Sequence, residues 1–200
     1  MKRVHKFLAI TSLFTVATVL TGCGEDPKPK PEAFLRLDYE LGNNKRFDAA
    51  CPFTFDYNSN AIIKDKGNCA LVLQYPKMKA TIYLSYKPVN NNLDLLVRDA
   101  ERLTYEHVIK ADNINSQPFV NRDSKVYGMF SSVGGNAATN AQFYVTDSIH
   151  HFITGSMYFY AKPNFDSIMP AAAYIKNDMQ NLVESIPVSY THLRAHETDS

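Results

Sequence analysis

The chain has 200 residues, 21 basic against 20 acidic side chains, and 45% hydrophobic residues that include 12 Tyr and 12 Phe. That is material for one domain with a real core, and it excludes a disordered segment, which would be poorer in apolar residues and more strongly charged. A formal charge of +1 provides no basic field, which argues against nucleic acid as a partner.

Lys2, Arg3 and Lys6 precede an apolar run from Phe7 to Leu20. The run has the length of a signal-peptide h-region and is too short to span a bilayer comfortably. It stops at Leu20-Thr21-Gly22-Cys23, an order that resembles the lipobox of bacterial lipoproteins. In that class the cysteine thiol takes a diacylglyceryl group and the peptide before it is removed. The resemblance implies a lipoprotein signal peptide over residues 1–22, lipidation of Cys23, and attachment to a membrane through acyl chains worth roughly 0.8 kcal/mol per buried methylene. The alternative is a plain secretory signal with a chance cysteine. Residues 1–22 hold three basic and no acidic side chains, so the processed chain would keep 178 residues and a formal charge of −2.

With Cys23 assigned to lipid, Cys51 and Cys69 remain, both outside the cytosol. A disulfide closing 17 intervening residues would contribute about 3 kcal/mol in the chain-entropy picture. Two unpaired buried thiols are the other reading, because sequence does not set the approach of the two Cα atoms.

From Cys23 to residue 32 the chain reads as anchor and tether, since Pro27, Pro29 and Pro31 alternate with lysines and favour an extended polyproline form. Strands are expected at 33–39 and from Cys51 to Tyr57, with Phe53 and Phe55 on one face, followed by a loop over 58–68. Ala70–Tyr75 and Lys79–Lys87, joined by Pro76-Lys77, predict a hairpin. Leu93, Leu96, Val97, Ala100, Leu103 and His107 or Val108 recur at helical spacing behind Asn91 or Asn92 as cap. Lys125–Ser132, Ala141–Asp147 and His151–Tyr160 predict an antiparallel meander, with turns at Gly134-Gly135-Asn136 and Ser148-Ile149-His150. A second helix is expected from Ile168 to Ile186, with Pro170 in its first turn and Ile168, Ala172, Ile175, Met179, Leu182 and Ile186 on one face.

Strands outnumber helices, and two one-faced helices suffice to cover one sheet. The expected fold class is therefore α+β: a single domain over 33–187, mainly antiparallel sheet covered by two amphipathic helices. The order of elements resembles the Mog1 and PsbP type of sandwich. Residues 188–200 carry no apolar period and resemble a translated sequencing-adapter scar, a probable non-native tail set apart from the fold.

Thr146-Asp147-Ser148-Ile149-His150-His151 brings an acid, a hydroxyl and two imidazoles together, the groups that nucleophile, base and orienter require. Asp147 and Ser148 are also ordinary turn residues whose side chains bond nearby amides. Adjacent histidines on a strand point to opposite faces and no third ligand follows at a suitable spacing, so no metal is expected. His107, with Lys110 and Asp112, reads as a helix-end histidine favoured by the helix dipole. Gly134-Gly135-Asn136 lacks the Lys-Ser/Thr of a phosphate loop, and no cofactor is expected. Among the later aromatics, Tyr158 and Tyr160 share one face and Phe159 takes the other. They read either as core filling or as an interface.

Many segments in fixed order then carry a specific resemblance. They include Cys51-Pro52-Phe53, Tyr75-Pro76, Ile82-Tyr83-Leu84-Ser85-Tyr86-Lys87, Gln142-Phe143-Tyr144-Val145-Thr146-Asp147-Ser148, His151-Phe152, Tyr158-Phe159 and Pro163-Asn164-Phe165-Asp166-Ser167-Ile168. From about Pro29 to Ile186 the chain resembles the gliding motility lipoprotein GldD family of Bacteroidota. It departs at Ala33, where the family commonly has Gly, at Ala70, where an aromatic is usual, and in having no Trp. The resemblance implies a non-enzymatic, lipid-anchored envelope component, facing the periplasm and partnered by other gliding or type IX secretion proteins. It brings no catalytic residues. A module for a glycan or lipid of the envelope, and less so a hydrolase built on Asp147, Ser148 and His151, are the alternatives.

Overall fold

The computed structural model describes residues 39–106, 111, 113–135, 139–160 and 165–187, the first three of helix 165–184 by backbone alone. All lie in the unit Leu35–Ser200. The signal peptide, Cys23, the tether, the strand expected at 33–39 apart from Tyr39, His107, Lys110, Asp112, Asn136 and the tail 188–200 lie outside the described residues.

In chain order the elements are β1 (Asn44–Phe47), β2 (Phe55–Asn58), β3 (Ile62–Asp65), β4 (Leu71–Tyr75), β5 (Ala80–Pro88), α1 (Leu93–Tyr105), β6 (Asn113–Asn121), β7 (Val126–Gly134), β8 (Thr139–Thr146), β9 (His151–Phe159) and α2 (Phe165–Glu184). β1 and β2 form a two-stranded ribbon, and the other strands form one sheet in the order β3-β4-β5-β9-β8-β7-β6. Every pairing is antiparallel. The fold is α+β, as its pattern of strands and two amphipathic helices predicted.

The strand pleat divides the sheet chemically. Ile82 and Leu84 of β5, Phe143 and Val145 of β8, and Ile153 and Met157 of β9 share one face and are all buried. On this face they meet Ile175, Met179 and Leu182 of α2, together with Phe53 and Phe55 at the ribbon. Each such side chain contributes roughly 1.5–3 kcal/mol when fully buried. On the opposite face α1 sets Leu96 and Ala100 against Phe152 and Tyr144. The two helices thus lie on different sides of the sheet.

Several boundaries differ from the sequence expectation. Residues 58–68 are not a loop throughout, because β3 runs within them and pairs with β4 from Ile62↔Gln74 to Asp65↔Leu71. β6 had no apolar signature and contains Pro118, yet it pairs along its whole length with β7. Both are outermost strands, where pairing on one side is enough and a missing amide is tolerated. The strand expected from Cys51 starts only at Phe55, its partner β1 being a short polar segment. α2 begins at Phe165, so Pro170 is inside the helix rather than in its first turn. At the start of α1 the Asn92 side chain makes no cap and instead accepts from the Asn90 amide at 2.8 Å. Leu103 is exposed, and Thr104 is buried in its place, donating its hydroxyl to the Ala100 carbonyl at 3.3 Å. That internal bond satisfies the hydroxyl and lets Thr104 take a core position.

Candidate functional site

The turn between β8 and β9 brings Asp147, His150 and His151 together around one carboxylate. Asp147 is buried, and its Oδ1 accepts the amides of Ile149 at 3.0 Å and of His150 and His151 at 2.8 Å each. Burial acts to raise the Asp147 pKa, but the three amide bonds and the nearby His151 outweigh it and hold the carboxyl below its ordinary value. The Thr146 hydroxyl donates to the His151 carbonyl at 2.6 Å and accepts the Ser148 amide at 2.9 Å. Ser148 itself is exposed at φ 69°, a left-handed conformation, as the close corner requires.

His151 is placed from below by Tyr86 of β5, whose hydroxyl lies 3.0 Å from Nδ1. Burial lowers the His151 pKa, against the charge of Asp147, which raises it, and with the neighbouring His150, which lowers it further. His150 is exposed, with Nδ1 3.8 Å from Asp147 Oδ2. Among the described residues no hydrogen bond joins the Ser148 hydroxyl to either imidazole. Asp147 acts first as the acceptor that shapes the turn. No group of three or more His, Cys, Asp or Glu side chains among the described residues is placed to hold a metal ion.

Tyr158 and Tyr160 fall on the opposite face of the sheet, beside rather than beneath α1. Tyr158 meets Tyr83 edge to face with ring centroids 5.7 Å apart. The Tyr160 hydroxyl is hydrogen-bonded to that of Thr81 and lies near the side chains of Tyr83 and Gln74. These contacts, the Thr81 bond first and the Lys64 ammonium last, draw the Tyr160 pKa below the usual tyrosine range. Tyr83 is displaced the other way, chiefly by the neighbouring Tyr160. Tyr83 is 43% exposed, Tyr160 61% and Ile62 52%. Composition had singled out the later aromatics and passed over Tyr83, Tyr86 and Lys64. The alternation Ile82-Tyr83-Leu84-Ser85 in β5 held the signal: every second residue is too polar for the core that its neighbours enter.

Cys51 and Cys69 are joined by a disulfide with Cα atoms 5.6 Å apart. It ties the segment before β2 to the β3–β4 turn, where Gly67, Asn68 and Cys69 have φ of 85°, 52° and 55°. At the far side of the ribbon, Asn58 donates to the Tyr174 hydroxyl at 2.8 Å and to Asp178 Oδ1 at 3.1 Å, linking β2 to α2. Burial raises the Asp178 pKa against the opposing bond from Asn58 and the neighbouring Tyr75 side chain. Tyr75 is also pushed up, by burial first and by Asp178 second. Between α1 and the strands is a cavity of about 40 Å³, lined in part by Thr104, Ser131 and Gln142. It is of water size and far below the several hundred Å³ of a typical ligand pocket.

Residues 24–188 match the family of the gliding motility lipoprotein GldD. The chain belongs to that family. Curated proteins give no match. Among solved structures, the chain is similar to the solution structure of cyanobacterial PsbP (CyanoP) from Synechocystis sp. PCC 6803, at 10% identity over 84% of this chain and 98% of that one, with a TM-score of 0.45. The GldD family is one of lipoproteins of gliding motility and not a known enzyme family. Membership therefore assigns the chain to the cell envelope as a membrane-anchored protein.

Proposed function

We propose that the chain is an accessory or assembly component of the gliding motility machinery and of the linked type IX secretion system, working by binding other envelope proteins. In this reading residues 1–22 are removed, lipid on Cys23 holds the chain to a membrane, residues 23–32 are the tether, and the domain over 33–187 faces the periplasm. Residues 188–200 are foreign to it.

The observation that carries the reading is the sheet face on which Tyr83 and Tyr160 stand exposed beside Tyr158. Tyrosines bury large area at small entropic cost and are enriched where proteins meet. They form an open surface rather than an enclosed pocket, which favours a protein over a small glycan or lipid ligand. Among the described residues no bond joins Ser148 to an imidazole, so nothing there favours the hydrolase alternative.

Complementation of a gene deletion in a gliding relative tests it, scored by colony spreading and by delivery of a secreted cargo. Cys23→Ala is expected to abolish both, and Ser148→Ala/His151→Ala, at normal abundance, to restore both. Full activity of Cys23→Ala would remove the anchored role. Failure of the folded double variant would return the turn to consideration as an active site.

A further inference from the structure

The strands β3, β4, β5 and β9 carry a concentration of charge that the whole chain does not. Basic and acidic residues nearly balance overall, yet from Ile62 to Pro88 there are five lysines, Lys64, Lys66, Lys77, Lys79 and Lys87, against the single acid Asp65. All five are exposed, and among the described residues none is in an ion pair. Lys64 and Lys87 stand on the face of Tyr83, by the register Lys64↔Val72↔Tyr83 and by the two-residue alternation along β5. Lys79 adjoins Tyr160, whose amide donates to the Lys79 carbonyl at 2.8 Å. The tyrosines are thus rimmed by ammonium groups.

Shape narrows the partner further. α1 covers this face over β8 and the start of β9, through Leu96 and Ala100 on Phe152 and Tyr144. From β3 to β9 the strands that no described helix covers span about 14 Å at roughly 4.8 Å per strand, room for one helix about 10 Å across. α1 stands above that floor as a wall of about the same height. A flat lipid surface would rest on α1 and miss the tyrosines, whereas a rod lying beside α1 would touch both. On the other face α2 already fills the corresponding layer.

We propose that this ledge receives an amphipathic helix of another envelope protein, its apolar side on Tyr83, Tyr158 and Ile62 and its carboxylates toward Lys64, Lys79 and Lys87. The proposal rests on the protein-binding reading above and names the kind of segment bound. Tyr83 and Tyr158, braced edge to face, supply rigid contact area, and the lysines select an acidic partner and speed its encounter.

The test places the photo-crosslinker p-benzoylphenylalanine at position 83 of the full chain in living cells, and at position 120 on the outer strand β6 as a second site. Position 83 is expected to yield an adduct that maps to an acidic, amphipathic segment of an envelope protein. Lys64→Glu/Lys87→Glu should cut that adduct about tenfold with an unchanged melting temperature, and reversing the charges on the mapped segment should restore it. Adducts with lipid or glycan alone, or with a segment lacking acidic residues, would overturn the proposal. Protein adducts from position 120 and none from 83 would overturn the ledge while leaving a protein-binding role in place. No protein adduct from either position, together with full complementation by the double lysine variant, would remove both.

Discussion

The two faces of one sheet follow the same backbone and have different fates. On the side of α2, β5 presents Ile82 and Leu84 to a sealed layer that also holds Phe143, Met157 and Met179. One residue further along the same strand, Tyr83, Ser85 and Lys87 point away and remain exposed. Burial on the first face comes from the second helix and the β1–β2 ribbon, while among the described residues the second face has α1 over only part of its width. A sheet needs one continuous core to be stable, so the surface left over is available for contacts that do not hold the fold together.

The sharpest way to break this comparison is to truncate one aromatic on each side. Phe143→Ala should cost about 3–5 kcal/mol, the range for a buried Phe. Phe143 is 2% exposed and its ring fills the space above Gly155, where an added Cβ would come within 2.2 Å of it. Tyr83→Ala, which gives up the edge-to-face pair with Tyr158, should cost only about 1 kcal/mol. Urea unfolding of the two variants measures both, and an equal loss would mean that the tyrosine face belongs to the core.

A smaller effect concerns the cover over the first face. Cys51→Ala/Cys69→Ala opens the loop that the disulfide closes across a separation of 18 residues. About 3 kcal/mol should be lost, and the oxidised parent after treatment with reductant should unfold at the denaturant concentration of the variant. Amide exchange should rise first in β1 and β2, because the bridge fastens the ribbon's leading segment to the β3–β4 turn.

The smallest effects separate two carboxylates that burial treats alike and hydrogen bonding does not. Asp147 is cradled by three backbone amides and its pKa is depressed from 3.8. Its contribution is complete above 3.8 and is lost as pH falls through the lower folded value. Asp147→Ala should cost about 2 kcal/mol at pH 7 and nothing further in acid, since the charged acceptor is gone. Asp178 is raised above 3.8, burial outweighing Asn58 and Tyr75. Its folded form holds a proton that the unfolded chain has released, so its contribution declines as pH rises from 3.8 through the folded value. Asp178→Asn should remove that decline. Thermal unfolding between pH 3 and pH 7 would show the two slopes with opposite sign, and slopes of one sign would refute the assignment.

The legible parts of this molecule were those with local periodicity. The β4–β5 hairpin, the β7–β9 meander and both helices follow from spacings that a single segment contains, and so does Asp147 as a turn residue. β1, β3 and β6 were not legible, because strands paired on one side alone draw their order from a neighbour and have little apolar pattern of their own, whether short as β1 and β3 or nine residues long as β6. The site was read in halves. Tyr158 and Tyr160 stood out by composition, while Tyr83 and Tyr86 gained meaning only when β5 was laid against β9, placing Thr81 opposite Tyr158 and Tyr86 opposite Ile153.

Sequence alone therefore determined the α+β class and the GldD family, because hydrophobic period and ordered motifs are properties of the chain itself. It also determined which residues are candidates for lipid, bridge and turn. Tertiary structure decided which face of the sheet each helix covers, that Asp147 is spent on the amides of its own turn, and that lysines distant along the chain from Tyr158 and Tyr160 gather at their rim. Those depend on register and on strand order, and a pairing shifted by one residue would have turned every tyrosine of that face into the core.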